Sequence, residues 1–349
     1  MTIYNLDRME VVDKIPRGCV TALGFFDGVH LGHRLIIDSA RREADLRGVE
    51  VAVWTISHES GNYKTGNTAL TNEAERLELL SLAGAHYAAV SDFSDIKGLS
   101  GEGFVKTILA EKLGVSAVAC GYNYRFGNGA LCTTDVLRRI CSDMGIDVIV
   151  TEAVTDSMGD EISSTRIRNL ISEGRVDEGD VLLGRPYGFT SRVLRGKRLG
   201  RKLGFPTANQ LVPEGRLTPK TGVYAVTAEF YHDGVRKILP GVTNIGYCPT
   251  LTEEMLASEG VEADVLGKNG AAAEGYAVSE TYIIGFDGDL YGEELKLSFL
   301  KRLRGEIAFD GIDALVKQIG ADADRALEIY GEIYGFFYDQ TVISYEETK

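Results

Sequence analysis

The chain lacks the features of membrane-bound and disulfide-stabilised proteins. Its 349 residues include five cysteines, an odd number with no CxxC pair, so the sequence offers neither a disulfide framework nor a structural zinc site. No apolar run approaches the ~20 residues that a bilayer span requires. The first residues also lack the basic start and apolar core of a secretory signal. We therefore expect a cytoplasmic protein with reduced thiols and no membrane partner.

Positive charge is scarce as well. The chain has 37 lysines and arginines against 51 aspartates and glutamates, a formal net charge of -14. A surface of this sign repels the phosphate backbone of DNA or RNA, so we expect no nucleic-acid partner. Small molecules are the expected partners, and a phosphate group must be held locally by helix ends, a few arginines or a metal ion. The composition leaves the oligomeric state open.

Two domains are expected from the length and from a change in texture along the chain. From residue 17 to about 150, five short β-like runs alternate with helical patterns, which is typical of βαβ units and of a parallel sheet with helices on both faces. Asn72, followed three residues later by Glu75, predicts a capping box at the start of the second helix. After about residue 186, short runs rich in β-formers follow one another without helices, which favours an antiparallel barrel or sandwich. A helical stretch closes this part. We expect an α/β domain in residues 1–183 and an all-β domain with a C-terminal helix in residues 184–349.

The stretch "GFFDGVHLGH", residues 24–33, combines a strand end, an Asp-Gly turn and a helix start. In an open α/β fold, a helix N-terminus at the carboxyl edge of the sheet is a ready anion site. His30 and His33 lie three residues apart, so they share one face of the first turn and can donate hydrogen bonds to a polyphosphate. The ordinary alternative is that one histidine caps the helix and the other packs in the core. Zinc ligation is disfavoured because the sequence has neither an HExxH glutamate nor clustered cysteines.

A second stretch, "ISSTRIR", residues 162–168, points to the same chemistry. Ser163, Ser164 and Thr165 offer three hydroxyls where a helix should start, and Arg166 follows in its first turn. A cation is poorly placed at a helix N-terminus on dipole grounds, so an arginine there favours an anionic ligand. Plain helix capping with a solvated arginine is the alternative.

The all-β part carries a glycine-rich loop, "RGKRLGRKLGFPTANQ", residues 195–210. Glycines recur at intervals of four, interleaved with basic residues, at Gly196, Gly200 and Gly204. Backbone N–H groups of such a loop can cradle phosphate oxygens. The loop is not a Walker A motif, since no GK[ST] ending and no helix follow. A basic hairpin on a solvated edge is the alternative.

Oxygen donors follow this loop. Thr207 and Asn209 occupy alternating positions and therefore one face of an extended strand. A hydroxyl and an amide oxygen suit a Mg²⁺ ion that a nucleotide already holds. Glu280, in the β-rich stretch "SETYIIGF", adds a carboxylate that can serve as general base for a hydroxyl nucleophile.

These stretches together resemble a known family. "GFFDGVHLGH" and "ISSTRIR" resemble the two nucleotide-binding signatures of the HxGH nucleotidylyltransferase superfamily. With "GYNYRFGNGALCTTD" between them, the first part resembles the FMN adenylyltransferase module of bacterial bifunctional riboflavin kinase/FAD synthetases. "FPTAN", "GVTNIGYCPT" and "SETYIIGF" resemble the riboflavin kinase module of that family. The resemblance covers residues 17 to about 330 and implies a Rossmann-like domain followed by a riboflavin-kinase-like β-barrel with a C-terminal helix.

The resemblance implies an enzyme that phosphorylates riboflavin to FMN and adenylylates FMN to FAD, with ATP as co-substrate and Mg²⁺ as cofactor. It implies catalytic roles for His30, His33, Arg166 and Glu280. It implies ATP binding by Gly24, Phe25, Asp27, Gly28, Ser163, Ser164, Thr165, Gly196, Gly200 and Gly204. Flavin binding is implied for Asn123, Asp135, Arg304 and Glu306, and metal binding for Thr207 and Asn209.

The chain departs from the family pattern at a few positions. "WTISHES" keeps only His58 of a TFxPHP-like segment, Cys248 stands where the family usually has arginine, and Tyr282 stands where it usually has histidine. These departures leave three alternatives open. The protein makes FMN alone, it binds flavin as a regulator without turnover, or it transfers a nucleotidyl group to another phosphate acceptor.

Overall fold

The computed structural model describes residues 1–6, 15–57, 69–195, 200, 203–248 and 276–334. The chain forms two compact units. One consists of Met1–Ile167 with Leu182–Gly184, and the other of Arg168–Val181 with Arg185–Lys349. Residues 168–181 belong to the second unit and residues 182–184 to the first, and the boundary predicted after residue 183 lies within this short segment of the first unit.

The first unit contains a six-stranded parallel sheet in the order β1-β4-β3-β2-β5-β6. The strands are β1 (Thr2–Asn5), β2 (Val20–Leu23), β3 (Val51–Ile56), β4 (Tyr87–Ser91), β5 (Ala117–Gly121) and β6 (Asp147–Thr151). The sequence predicts five of them, and the edge strand β1, which pairs with β4, is an addition. The central strands β2 and β3 are buried along their whole length, as expected of a parallel sheet covered on both faces.

Helices cover both faces of this sheet. They are α1 (Leu31–Arg47), α2 (Glu73–Leu82), α3 (Phe93–Ile96), α4 (Gly101–Phe104), which continues as a π-helical stretch over Val105–Lys112, and α5 (Thr134–Asp143). The capping box predicted at the start of α2 is present, since Asn72 Oδ1 accepts the Glu75 N–H at 2.8 Å and Glu75 accepts the Asn72 N–H. One buried cluster includes Phe104 and Leu137, and a second includes Ile37 and Leu80. The prediction of an α/β layer structure is confirmed.

The order of the strands opens a crevice at one edge of the sheet. Strand β2 lies between β3 on one side and β5 on the other. The chain leaving β2 and the chain leaving β5 therefore diverge at the carboxyl ends of the strands, where ligands bind in open α/β sheets. Residues 24–33 follow β2, and residues 122–124 follow β5. Two further helices, α6 (Ser164–Glu173) and α7 (Val176–Leu183), come after β6.

The second unit contains a six-stranded antiparallel sheet in the order β7-β12-β9-β10-β11-β8. The strands are β7 (Gly188–Arg192), β8 (Thr207–Leu211), β9 (Gly222–His232), β10 (Val235–Cys248), β11 (Tyr276–Ile283) and β12 (Glu294–Arg304). The sheet curls until its two outermost strands meet. The Leu194 N–H donates to the Asn209 carbonyl at 2.7 Å, and the buried Gln210 amide donates to the carbonyls of Ser191 and Leu295.

A long C-terminal helix, α8 (Ile312–Tyr334), packs on the outside of this curled sheet. Ala326 and Ile329 of the helix lie in one buried cluster with Val223, Ala225 and Val242 of strands β9 and β10. The apolar residues that recur at helical spacing in the sequence thus form the buried face of a helix, as their pattern predicts. The expected barrel-like sheet with a C-terminal helix is confirmed.

Candidate functional site

The turn between β2 and α1 is fastened by a buried carboxylate. Asp27 is 2% exposed, and its side chain accepts the backbone N–H groups of Leu70 at 2.9 Å and of Thr71 at 3.2 Å. The Gly28 N–H donates to the Thr71 hydroxyl at 3.2 Å. Asp27 therefore holds the turn against the segment that leads into α2. Its role in ATP binding stays a prediction.

The backbone of this turn is unusual. Phe26, Gly28 and Val29 have φ angles of 56°, 80° and 40°. Left-handed conformations cost little at glycine but are strained for phenylalanine and especially for a β-branched valine. Such strain persists only where the surroundings over-determine the conformation, and it clusters at functional sites. The bonds from Asp27 are part of those surroundings.

His30 and His33 begin helix α1. His30 is the N-cap, and its Nδ1 accepts the backbone N–H of His33 at 3.4 Å. The two imidazole rings stack with centroids 3.6 Å apart, and the edge of Phe26 packs against His33. Because Nδ1 of His30 accepts a hydrogen bond, we infer that the neutral ring carries its proton on Nε2, which is then a donor.

The hydroxyl run lies across from the histidines. Ser163, Ser164 and Thr165 line the same cleft as His30 and His33, and its volume is about 330 Å³. Two contacts fix this wall. Ser164 donates to the Asp27 carbonyl at 2.9 Å, and Ser163 accepts the Arg166 N–H at 3.3 Å as the cap of α6. The other predicted residues that line the cleft are Gly24, Phe25 and Asn123. The starts of two helices thus meet at one cleft, an arrangement whose backbone N–H groups favour an anion.

The cleft lining does not include four predicted residues of this unit: Asp27, Gly28, Arg166 and Asp135. The guanidinium of Arg166 pairs with the Asp156 carboxylate and donates to the carbonyls of Asp160 and Glu161, each at 3.2 Å. The hydrogen bond from Arg166 lowers the pKa of the Asp156 carboxyl. Asp135 lies exposed in the first turn of α5, 3.4 Å from Arg138. The roles of Arg166 and Asp135 stay predictions.

A second cavity adjoins the cleft and is lined by aromatic rings. It has a volume of about 950 Å³ and shares Gly24, Phe25 and Tyr124 with the cleft. Its other aromatic residues are Trp54, Phe93, Phe104 and Phe126. Among these rings, the sequence predicts a role only for Phe25. The order of the strands could have indicated two of the other rings. Trp54 lies near the carboxyl end of β3 and Tyr124 follows β5, so both lie at the same edge of the sheet.

In the second unit, the predicted oxygen donors lie side by side. Asn209 of β8 is directly opposite Glu280 of β11, and Thr207 is opposite Tyr282. Glu280 also faces Asn244 of β10. Directly opposed residues of an antiparallel pair share one face of the sheet. A hydroxyl, two amides and a carboxylate are thus gathered on one surface.

Gly200 of the glycine-rich stretch approaches this surface. Gly196 lies outside the described residues. At Gly200, a Cβ atom would lie 2.3 Å from the Phe205 carbonyl oxygen and 3.3 Å from Thr207 Oγ1. Only glycine fits there, and Gly200 lies beside Thr207. Gly204 has a φ of 84°, a conformation that favours glycine.

The two residues predicted to close over the flavin differ in their contacts. Arg304 binds the buried carboxylate of Asp322 on α8 through two nitrogens, at 3.0 Å and 2.8 Å. Glu306 lies beside Gly246, where a Cβ would be 3.3 Å from its Oε1. Arg304 thus fastens the C-terminal helix to the sheet. Flavin binding by both residues stays a prediction, and His58 lies outside the described residues.

Comparison with known proteins decides the family. The family model for FAD synthetase matches residues 12–166, and the one for riboflavin kinase matches residues 183–330. A bifunctional riboflavin kinase/FMN adenylyltransferase of Listeria monocytogenes is 34% identical over 320 residues, covering 90% of this chain and 93% of the relative. One from Bacillus subtilis is 30% identical over 339 residues, covering 95% and 99%. The chain belongs to the bifunctional riboflavin kinase/FMN adenylyltransferase family.

A solved structure is similar to this chain over almost its full length. A protein from Streptococcus pneumoniae, described as a macrolide-efflux protein, aligns with a TM-score of 0.77 and 27% identity, covering 94% of this chain and 99% of that one. In the part of the chain that the structure describes, no helix is long and apolar enough to cross a membrane. The same described part contains no group of three or more histidine, cysteine or acidic side chains that could hold a metal ion.

Proposed function

We propose that the second unit phosphorylates riboflavin to FMN with ATP, and that the first unit transfers AMP from ATP to FMN, releasing pyrophosphate and forming FAD. The proposed modules are residues 1–183 and 184–349, so the adenylyltransferase module also takes in Arg168–Val181, which cluster with the second unit. The observation that carries this proposal is the pair of adjoining cavities in the first unit. One is polar and lies at helix starts, the other is aromatic, and they share Gly24, Phe25 and Tyr124.

The two cavities suit the two substrates of adenylyl transfer. A triphosphate fits the cleft, because helix N–H groups and the hydroxyls of Ser163 to Thr165 offer hydrogen bonds to its oxygens. The flat ring of FMN fits the aromatic cavity, where ring faces and edges give apolar contact. In this arrangement the FMN phosphate attacks the α-phosphorus of ATP at the junction of the cavities, and pyrophosphate leaves.

His30 and His33 act on charge rather than on covalent bonds. In-line displacement at phosphorus asks the protein mainly to position the reactants and to stabilise oxygens that gain negative charge. The inferred Nε2 proton of His30 makes its ring a donor for this purpose, and the stacked His33 ring is fixed beside it. Arg166 supports catalysis and Asp135 supports flavin binding from outside the cleft lining. Asn123 binds the flavin from within the cleft.

The kinase reaction uses the face that carries Asn209 and Glu280. Glu280 is exposed and accepts the proton of the riboflavin 5′-hydroxyl as that oxygen attacks the γ-phosphorus of ATP. Thr207 and Asn209 fit a Mg²⁺ ion, because hydroxyl and amide oxygens are hard donors and a nucleotide supplies the remaining ligands. When bound, Mg²⁺ neutralises charge on the transferred phosphate. Gly200 and Gly204 let the loop backbone approach the nucleotide, and Arg304 and Glu306 bind the flavin.

Two half-reactions test this proposal separately. The chain is incubated with FMN, ATP and Mg²⁺ while pyrophosphate is measured, and with riboflavin, ATP and Mg²⁺ while ADP is measured. We expect pyrophosphate and FAD in the first reaction, and ADP and FMN in the second. ADP without any pyrophosphate would show a kinase alone, and flavin binding without either product would show a regulator. Detection of the chain in the cytoplasmic fraction of the source cells tests the predicted location.

A further inference from the structure

Arg76 is an arginine buried in the first unit, and it contacts neither cavity directly. It lies on α2 and is 1% exposed. Its Nη1 donates to the Phe25 carbonyl at 3.1 Å, and its Nη2 donates to the Ile56 carbonyl at 2.7 Å. Burial lowers the pKa of the Arg76 guanidinium. A buried cation is costly unless it is paired and hydrogen-bonded, and the two carbonyls together with the Glu73 carboxylate, 3.8 Å from Nη2, meet that need.

The two carbonyls belong to the ends of neighbouring strands. Phe25 follows β2, Ile56 ends β3, and the two strands pair in the sheet. The planar guanidinium can bond both ends at once because its donors are held in a rigid fork. Arg76 thereby fixes the spacing of the two chain segments at the point where each leaves the sheet.

The same guanidinium lies over the Phe25 ring, 4.6 Å from its centroid. The Phe25 carbonyl has a second donor, the Thr55 hydroxyl at 3.1 Å, but the ring contact comes from Arg76. Phe25 lines both the polar cleft and the aromatic cavity, and Ile56 lines the aromatic cavity. A shift of Phe25 therefore changes both binding surfaces.

Helix α2 holds the strained turn in two ways. Backbone N–H groups of the segment just before its N-cap donate to the Asp27 carboxylate. From its first turn, Arg76 donates to the Phe25 carbonyl. Between these two anchors lies Phe26 with its left-handed backbone. One fixed helix thus sets the position of the turn that precedes the histidines.

We propose that Arg76 is a positioning residue for adenylyl transfer, which acts through Phe25 by fixing the wall shared by the polar cleft and the aromatic cavity. This inference rests on the proposed adenylyl transfer from ATP to FMN. Arg76 touches no substrate in this account. Its effect is on where the two substrates lie relative to each other.

The test compares Arg76→Met, Arg76→Lys and Leu80→Ala in the full chain. Leu80 lies on the same helix and is fully buried away from Phe25, so its truncation destabilises the unit without releasing that residue. For each variant we measure kcat and KM for FMN and for ATP in the adenylyl half-reaction, the kinase half-reaction, and the thermal unfolding midpoint.

We expect Arg76→Met to lower kcat/KM for FMN by about tenfold to a hundredfold, because small misplacements cost this much. Arg76→Lys keeps the charge but not the fork and should fall between Met and wild type. Leu80→Ala should lower the unfolding midpoint and leave both KM values unchanged. Kinase activity should be the same in every variant.

Two results would overturn the inference. One is Arg76→Met with wild-type constants, and the other is Leu80→Ala with the same fall in kcat/KM for FMN as Arg76→Met. If Arg76→Met does not fold, Arg76→Lys decides, since wild-type constants for that variant contradict the need for a fork. Wild-type protein that makes no FAD would instead overturn the proposed function, and this inference with it.

Discussion

The imidazole rings of His30 and His33 stack at 3.6 Å between centroids, with 19° between their planes. The same pair is joined along the backbone, because Nδ1 of His30 caps the helix through the His33 N–H. One histidine is therefore both a helix cap and a wall of the cleft. This double role means that a substitution of His30 affects stability and activity by separate routes, which substitutions can separate.

Replacing His30 with asparagine should remove activity while keeping the cap. Asparagine is among the preferred N-cap residues, whereas alanine in its place costs about 1 kcal/mol. We expect His30→Asn and His30→Ala both to lower the kcat of FAD formation by about 100-fold or more, as loss of a transition-state donor does. Only His30→Ala should also lower the free energy of unfolding, measured by urea denaturation. FAD formation at the wild-type rate in His30→Asn would rule out a catalytic imidazole.

Replacing Glu280 with glutamine should remove one activity and spare the other. Loss of a general base lowers rates by about 10²- to 10⁴-fold. We expect Glu280→Gln to lose FMN formation from riboflavin to this extent, while adenylylation of added FMN continues at the wild-type rate. Glu294→Gln, an exposed glutamate of β12, is the matched control. Normal kinase activity in Glu280→Gln would mean that another group takes the proton.

Asp180 on α7 should make stability depend on pH. Burial raises the pKa of its carboxyl to about 8, with a further rise from Asp177, while the Tyr187 N–H and Arg185 oppose it. The ordinary value is 3.8, so between these limits the folded protein keeps a proton that the unfolded chain has released. The free energy of unfolding then falls as pH rises from 4 to 8, by at most about 1.4 kcal/mol per pH unit from this group.

The measurement compares the wild type with Asp180→Asn by urea denaturation at several pH values. Asparagine keeps the Oδ1 acceptor for the Tyr187 N–H, which lies 2.6 Å from it in the wild type. The wild type should lose stability relative to the variant as pH rises towards 8, and the difference should be constant above that. A difference that is the same from pH 5 to pH 8 would contradict the raised pKa.

Substitutions in the Arg304–Asp322 pair should distinguish a structural role of Arg304 from a flavin-binding role. Breaking a buried pair by removing one charge costs about 3–5 kcal/mol, so Asp322→Asn should lower the free energy of unfolding by an amount towards the lower end of that range. Arg304→Met should lower it similarly and, in addition, raise the KM for riboflavin. If both variants leave that KM unchanged, Arg304 serves only to hold α8 on the sheet.

Local patterns in the sequence predict much of this molecule. The alternation of apolar runs gives five of the parallel strands, and Asn72 with Glu75 forms the capping box. His30, His33 and Ser163 to Thr165 do line one cleft, because strand and helix order in an open α/β sheet dictates which edge the loops share. Short-range chemistry and topology together are enough for these features.

Contacts between distant residues are where sequence reasoning stops. Arg76 is an ordinary residue of an amphipathic helix until its carbonyl partners at Phe25 and Ile56 are known. Arg304 has the charge expected of a ligand-binding residue, yet its partner Asp322 is 18 positions away on a helix. The aromatic cavity is built from rings in five separate segments. Such features depend on tertiary packing, which no local period records.

A time course of flavin products tests the central claim most directly. The full chain is incubated with riboflavin, ATP and Mg²⁺, and the flavins are separated by chromatography. We expect FMN to appear first and FAD then to accumulate, with one pyrophosphate released per FAD. Unchanged riboflavin in a folded sample would contradict the account.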